Sequence, residues 1–324
     1  ERRIGPLLKS LAAQQYSGRW EVVFIDDHSS DNGPVLVKRA IEAGLPGKLI
    51  TLDVEGGKKA ALAKGAKIAS GTWLATIDAD VQIGPLWMSQ WVASCIEHQW
   101  DMLILPVMCT DRTEWVAQFQ TLEFLGLQFA TMGAAGMQLP VMCNGANLVV
   151  RASHYQNVVK DIRQDLASGD DMFLLTASIR SGANVGCLRS RQVVAIVEPE
   201  ATWRAMIHQR LRWASKTGSY PVGHILMVAA LVWLANVAAA FAWIAFLSGM
   251  GPQWLVVVLL KTFSDLPGMV LAARWFGQQR AMRWWLPMAV LYPLYAAIVP
   301  LLAVWTKQRW KQRPLKNFSP TIAA

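Results

Sequence analysis

The run Thr72-Trp73-Leu74-Ala75-Thr76-Ile77-Asp78-Ala79-Asp80-Val81 decides how this chain is read: an apolar, strand-like segment closes on two carboxylates separated by one small residue. In an extended backbone, residues i and i+2 face the same side. Asp78 and Asp80 can therefore offer oxygens together to one hard divalent cation, Mg2+ or Mn2+ rather than Zn2+. Asp-x-Asp is common by chance, and alone the stretch reads more readily as a strand end entering an Asx-rich turn. Its surroundings change that.

Upstream, Ile4, Leu7, Leu8 and Leu11 recur at helical spacing, and Glu21-Val22-Val23-Phe24-Ile25 is an apolar strand ending in Asp26-Asp27. A helix around Val35 to Ala43, a strand Lys48 to Leu52 and a helix Lys58 to Ala69 follow. Such alternation predicts an α/β domain with a Rossmann-like, mainly parallel sheet covered by helices on both faces. Ligands of open sheets bind beyond the carboxyl ends of the strands, so Asp26-Asp27 and Asp78-Ala79-Asp80 should meet. Further on the pattern predicts a helix Pro85 to His98, a strand Met102 to Val107 and a long apolar helix Thr113 to Met137. Glu114, Glu123, Gly126, Gly133 and Gly136 make that helix a poor membrane span. A strand Val141 to Val150, a polar stretch to Ser168 and a helix from about Asp170 complete this part.

The composition changes near residue 220, where Ile225 to Trp305 becomes almost wholly Ala, Val, Leu, Trp, Phe and Met. Three hydrophobic segments, His224 to Met250, Trp254 to Gly277 and Trp284 to Trp305, are candidate membrane helices. The net charge of +9 does not point to nucleic acid, because no soluble helix carries a Lys/Arg stripe interleaved with aromatics. Arg274, Arg280, Arg283, Lys307, Arg309, Lys311, Arg313 and Lys316 flank the apolar runs instead, as at cytoplasmic membrane borders. That places the first domain in the cytoplasm of an integral protein of the bacterial inner membrane. A third full span would put the basic tail outside, so Pro287, Pro293 and Pro300 predict a broken or interfacial third segment, and two or three spans. Lys261 and Asp265, one turn apart in the second segment, can neutralise each other.

Pro199 to Gly218 is amphipathic. Trp203, Met206, Ile207 and Ala214 share one helical face, while Gln209, Arg212, Trp213 and Lys216 line another. One face suits lipid and the other a site. The four cysteines are too dispersed for a disulfide framework or a zinc site, and the five histidines are scattered. The chain opens at Glu1-Arg2-Arg3 without a methionine or signal peptide and reads as a fragment.

In order, Asp26/Asp27, Asp78/Asp80, Gly169-Asp170-Asp171 and Gln209-Arg210-Leu211-Arg212-Trp213 resemble the signature of membrane-bound family 2 glycosyltransferases: cellulose, hyaluronan and poly-N-acetylglucosamine synthases, and ceramide glucosyltransferases. The resemblance covers about residues 1 to 220. It implies a GT-A type nucleotide-diphospho-sugar transferase domain and a membrane-bound, inverting transfer from a UDP-sugar to a polysaccharide or lipid acceptor. It implies Asp80 and Asp78 as ligands of Mg2+ or Mn2+, and Asp26, Asp27, Lys59, Asp78 and Arg212 as donor contacts. Asp171 would be the general base with Asp170 beside it. Trp213, Gln209, Cys143 and Asn144 would meet the acceptor. Gly56-Gly57-Lys58-Lys59-Ala60 resembles the family's Gly-Lys-Ala-x-Ala-Leu-Asn run, with Ala63 where Asn is usual. Relatives start with an apolar strand ending in a Pro-x-Tyr-Asn-Glu-like turn, of which only Glu1 would remain.

The expected organisation is a catalytic domain 1–198, an interface helix 199–222, a membrane region 223–306 and a basic tail 307–324. Two rival readings are a transporter or scaffold with a nucleotide-binding regulatory domain, and a nucleotidyltransferase acting on a sugar phosphate. The first lacks an inverted repeat; the second needs no Trp-bearing interfacial helix.

Overall fold

The computed structural model describes residues 4–54, 56–161 and 169–305, and the backbone of 309–310 and 313–314. The polar stretch 162–168 and nearly all of the basic tail lie outside the described residues. In chain order the main elements are α1 (Ile4–Ala12), β1 (Val22–Asp26), α2 (Gly33–Glu42), β2 (Gly47–Thr51), α3 (Gly57–Ile68), β3 (Trp73–Ile77), β4 (Val81–Gln82), α4 (Trp87–His98), β5 (Met102–Ile104), β6 (Val107–Cys109) and α5 (Trp115–Gly136). They continue with β7 (Asn147–Arg151), α6 (Ala152–Val158), α7 (Asp170–Arg180), β8 (Val185–Cys187), β9 (Ala195–Val197), α8 (Trp203–Ala214), α9 (Gly223–Leu247), α10 (Gln253–Phe276) and α11 (Trp285–Trp305). The chain forms two compact units, Glu1–Val107 with Ala134–Glu198, and Met108–Gly133 with Pro199–Ala324. The expected 1–198 domain is therefore not continuous, since Met108–Gly133 clusters with the second unit.

In the first unit β1 and β2 pair in parallel. A second sheet has the order β3-β7-β5-β8, in which β7 runs antiparallel to both β3 and β5, and β5 and β8 are parallel. β4 and β9 pair antiparallel. The sheets are thus mixed, against the expectation of a mainly parallel one. Strand direction leaves no trace in a buried apolar run, so the reversal at β7 is invisible to periodicity. It matters for the site: Ile77 pairs with Asn147, so the carboxyl end of β3 lies beside the amino end of β7. Asp78 and the 143–146 loop are thereby brought to the same edge.

β7 starts at Asn147, later than the expected Val141. Val141–Ala146 is a loop turned by Asn144, whose carbonyl accepts from Asn147 N–H and whose side-chain Oδ1 accepts from Ala146 N–H, both at 3.0 Å. Asn147 anchors the loop. Its buried amide donates to the Pro106 and Val193 carbonyls at 2.7 and 2.8 Å, and its Oδ1 accepts from the Trp87 indole at 2.9 Å. With donors and acceptor all used, burial of this polar group carries no desolvation penalty.

In the second unit, α5 is buried along much of its length, including the polar Gln118, Gln120, Thr121 and Glu123. The Gln120 side chain exchanges two 2.9 Å hydrogen bonds with the Glu200 backbone, fixing the lead into α8. There the Thr202 hydroxyl caps the helix by accepting from Ala205 N–H at 3.2 Å. Met206 and Leu211 are buried on α8 as an apolar face requires, but Arg210 is buried with them. Trp203 and Ile207 are the exposed members of the expected apolar face.

Gly223–Leu247, Gln253–Phe276 and Gln279–Trp305 are each long and apolar enough to cross a membrane, with mean hydropathies of 2.3, 1.7 and 1.9. A 24-residue helix such as α10 spans about 36 Å against a hydrocarbon core of ~30 Å. α11 runs unbroken through Pro293 and Pro300, so the expected proline break is not seen. Pro287 sits in its first turn, where no intrahelical N–H is lost, and the two inner prolines are tolerated within one continuous helix. Lys261 and Asp265 pair within α10.

Candidate active site

β1 ends on Asp26, whose Oδ1 accepts from Ser29 N–H at 3.1 Å and closes the strand-end turn. Asp27 reaches further. Its two oxygens accept from Gly56 N–H at 3.0 Å and Gly57 N–H at 3.1 Å, so the carboxylate caps the first turn of α3. The Gly56 and Gly57 amides are thus both held by Asp27. Gly57 has φ of 73°, a left-handed conformation that glycine adopts without strain, and the turn there aims the amides back at Asp27.

The same turn delivers Lys58. Its ammonium donates to Asp78 Oδ1 at 2.6 Å, and Asp78, Asp170 and Asp171 together hold its pKa above the ordinary lysine range despite the opposing loss of solvent. Lys59, the lysine expected at the donor, lies instead with its ammonium 5.1 Å from the Phe173 ring centre. Counting back from Leu62-Ala63 along the family run also lands on Lys58, so the helical register could have shown this.

Asp170 and Asp171 form the first turn of α7, entered through Gly169 at φ of 89°. The peptide dipoles there favour negative charge. Asp171 is oriented by two backbone donors, Gly145 N–H to Oδ2 at 2.9 Å and Met172 N–H to Oδ1 at 2.8 Å. The Asp170 carboxyl is pushed above its ordinary range by burial and by Asp171, with Lys58 pulling the other way. Cys143, expected at the acceptor, is buried, and loss of solvent with Asp171 and Asp170 nearby raises its thiol well above the usual range. Its place is in the packing beneath the cluster rather than on an acceptor surface. The Asn144 carbonyl groups serve the loop turn already described.

Gly145 was not singled out by sequence, yet it is tightly placed. A Cβ there would stand 3.3 Å from Asp171 Cβ, 3.4 Å from its Oδ2 and 3.4 Å from Lys58 Nζ. Gly145→Ala is expected to fold normally and to cost about tenfold in turnover by shifting Asp171 a few tenths of an ångström. Equal turnover of the two proteins would refute this.

Asp27, Lys58, Asp78, Gly145, Asp170 and Asp171 are thus linked within the first unit. Asp80 follows two residues after Asp78 and is half-buried. Among the described residues no group of three or more His, Cys, Asp or Glu is poised around a metal. Two hard carboxylates fit Mg2+ or Mn2+ as these ions are usually held beside a diphosphate, through one or two carboxylates with substrate oxygens completing the shell. Gln209, Arg212 and Trp213 lie on α8 in the second unit. There Gln209 Nε2 donates to Glu200 Oε1 at 3.1 Å, and the Trp213 ring is met edge-on by Phe124 at 6.3 Å.

A solved structure with a similar fold is the mannosyltransferase PcManGT from Pyrobaculum calidifontis, in complex with GDP-Man and Mn2+. The likeness covers 91% of this chain and 84% of that one at 20% identity, with a TM-score of 0.55. The fold is that of the GT-A glycosyltransferases, an α/β domain followed here by long apolar helices. Residues 1–157 match the model of Glycosyl transferase family 2, and the chain carries a domain of that family. A dodecaprenyl-phosphate galacturonate synthase from Rhizobium johnstonii is 31% identical over 107 residues, 32% of this chain and 32% of that protein. The chain thus matches only about a third of that relative's length.

Proposed function

We propose that this chain is a membrane-bound inverting glycosyltransferase that moves a sugar from a UDP-sugar to a lipid or polysaccharide acceptor. The observation that carries the reading is the convergence of Lys58, Asp78, Asp170 and Asp171 in one unit, with Lys58 bonded to Asp78 at 2.6 Å. A sugar nucleotide leaves as a diphosphate whose charge must be neutralised. Lys58 supplies one fixed positive charge, and Asp78 with Asp80 would hold Mg2+ or Mn2+, which supplies Lewis-acid stabilisation of the departing oxygens when bound. Asp27 and Asp26 belong to the nucleoside side of the donor. With an acceptor that attacks through a hydroxyl, Asp171, oriented by Gly145 and Met172, takes the proton of that hydroxyl; a lipid phosphate attacks through an oxygen already ionised and needs no base.

On the second unit, Arg212 offers a planar fork of donors for pyrophosphate, and Trp213 with Gln209 receives the acceptor. Three helices long enough to cross a bilayer favour a lipid acceptor, as does the lipid-phosphate named for the Rhizobium relative. Arg274, Arg280 and Arg283 about the α10–α11 connection favour the cytoplasmic side of a bacterial inner membrane for that connection.

The test is a screen of UDP-sugars with protein in membranes, Mg2+ or Mn2+, and dodecaprenyl phosphate or polysaccharide acceptors, reading UDP and product mass. UDP release with a matching product mass is expected. Pyrophosphate release, or no acceptor-dependent turnover with any donor, overturns the proposal. Asp80→Ala is expected to weaken Mn2+-dependent UDP binding at least tenfold, and a calorimetric titration with unchanged affinity removes Asp80 from the metal site.

A further inference from the structure

The least expected feature of the second unit is a charged pair almost sealed from water. Glu123 on α5 is 7% exposed and Arg210 on α8 is 4% exposed. Arg210 Nε and Nη2 both donate to Glu123 Oε2, at 2.8 and 2.5 Å. The other carboxylate oxygen accepts from the Tyr295 hydroxyl of α11 at 3.0 Å. Arg210 Nη1 donates to Gln209 Oε1. The guanidinium carbon lies over the Trp213 ring, 4.4 Å from its centre, and 5.6 Å from the centre of the Phe124 ring. The phenol thus holds the carboxylate, the carboxylate holds one edge of the guanidinium, and the guanidinium lies over the indole ring.

A buried ion pair is weak evidence for stability, because well-packed apolar side chains of similar volume do as well or better. What apolar side chains do not reproduce is a fixed plane. With Nε and Nη2 both donating to one carboxylate oxygen, the Arg210 fork keeps that oxygen near its own plane, the Gln209 bond and the ring contacts narrow it further, and a cation over an indole is attracted to the ring face. Trp213 sits three residues further along α8, on the same side of the helix, and is half-buried, so the clamp leaves part of the residue open to solvent. Gln209 is drawn into the same arrangement.

We propose that Arg210, locked by Glu123, is the positioning residue for Trp213 and sets the plane of the indole on which the acceptor packs. The inference rests on Trp213 as an acceptor contact, as given under Proposed function. It adds that acceptor affinity depends on a residue pair that never touches the acceptor.

The test compares the full chain with Trp213→Phe, Arg210→Lys, the apolar double variant Glu123→Leu/Arg210→Met, and that double variant combined with Trp213→Phe. Dodecaprenyl phosphate in mixed micelles is the acceptor probe. A second readout needs no acceptor: the 19F line of 5-fluorotryptophan at position 213, assigned by its loss in Trp213→Phe. The double variant is expected to keep Tm within about 3 °C, since the apolar pair restores packing. It is expected to raise the acceptor KM about tenfold, about 1.4 kcal/mol, with kcat and donor KM within about twofold and the Trp213 line shifted or split. Adding Trp213→Phe should raise the KM no further, because the two changes act through one group. Arg210→Lys should fall between. A double variant with native acceptor KM and an unmoved Trp213 line overturns the inference, as does an effect additive with Trp213→Phe. If Trp213→Phe itself leaves the acceptor KM unchanged, the acceptor reading of Trp213 fails and the inference with it; a shifted 19F line then still distinguishes that failure from a failure of Arg210 to hold the ring.

Discussion

Asp171→Asn is expected to yield a folded protein that binds nucleotide normally and transfers sugar to a hydroxyl acceptor about 10²–10⁴-fold more slowly, the range that general-base catalysis supplies. Both carboxylate oxygens accept a backbone N–H, from Gly145 and Met172. An asparagine keeps one of those bonds and turns the other acceptor into a donor, at a cost of about 1–3 kcal/mol, which a domain of this size can absorb. The lost rate therefore reports chemistry. Burial first and the Asp171 charge second raise the Asp170 carboxyl; the substitution removes only the second, so Asp170 should titrate somewhat closer to its ordinary range, a shift that carboxyl NMR can follow. Near-native turnover in Asp171→Asn would remove Asp171 as the base and leave Asp170 to be tested in the same way.

Lys58→Met is expected to have the largest effect on stability without ligands. It leaves Asp78, Asp170 and Asp171 without their shared counter-charge. Breaking a buried pair costs about 3–5 kcal/mol, but Lys58 and Asp78 are 29% and 39% exposed, and solvent screening reduces that to roughly 1–2 kcal/mol. A fall in Tm of about 2–8 °C follows. Mn2+ should restore part of it, because the carboxylates then gain another cation, and the thermal shift on adding Mn2+ should exceed that of the native protein. Unchanged melting together with an unchanged response to Mn2+ would show that Lys58 is not the counter-charge of this cluster.

What was legible in the sequence followed from local pattern. Apolar runs of about five residues ending in acids marked β1 and β3, and helical spacing marked α1 and α8. The acids Asp27, Asp78 and Asp171 stand out in the sequence because their neighbours are strand ends and a helix start. What was missed depends on contacts between distant positions. The antiparallel entry of β7 puts the 143–146 loop beside Asp78, and no periodicity encodes which way a buried strand runs. Gly145 gains its importance only from what a side chain there would strike. In the sequence Glu123 argues only against a membrane span and Arg210 is one of two arginines inside its motif; their pairing joins positions 87 apart. Lys58 and Lys59 differ by one residue, about 100° around a helix, which is enough to send one to the acids and the other to Phe173.

The grip of Asp27 on the first turn of α3 has a consequence for any anion that approaches there. A helix start with open amides would attract phosphate on its own, whereas here both amides are already satisfied by a tethered carboxylate. An incoming anion has to outcompete a rival present at high effective concentration, so inorganic phosphate alone should be a poor occupant. Only a larger molecule, engaging the protein at several points at once, gains enough to displace it.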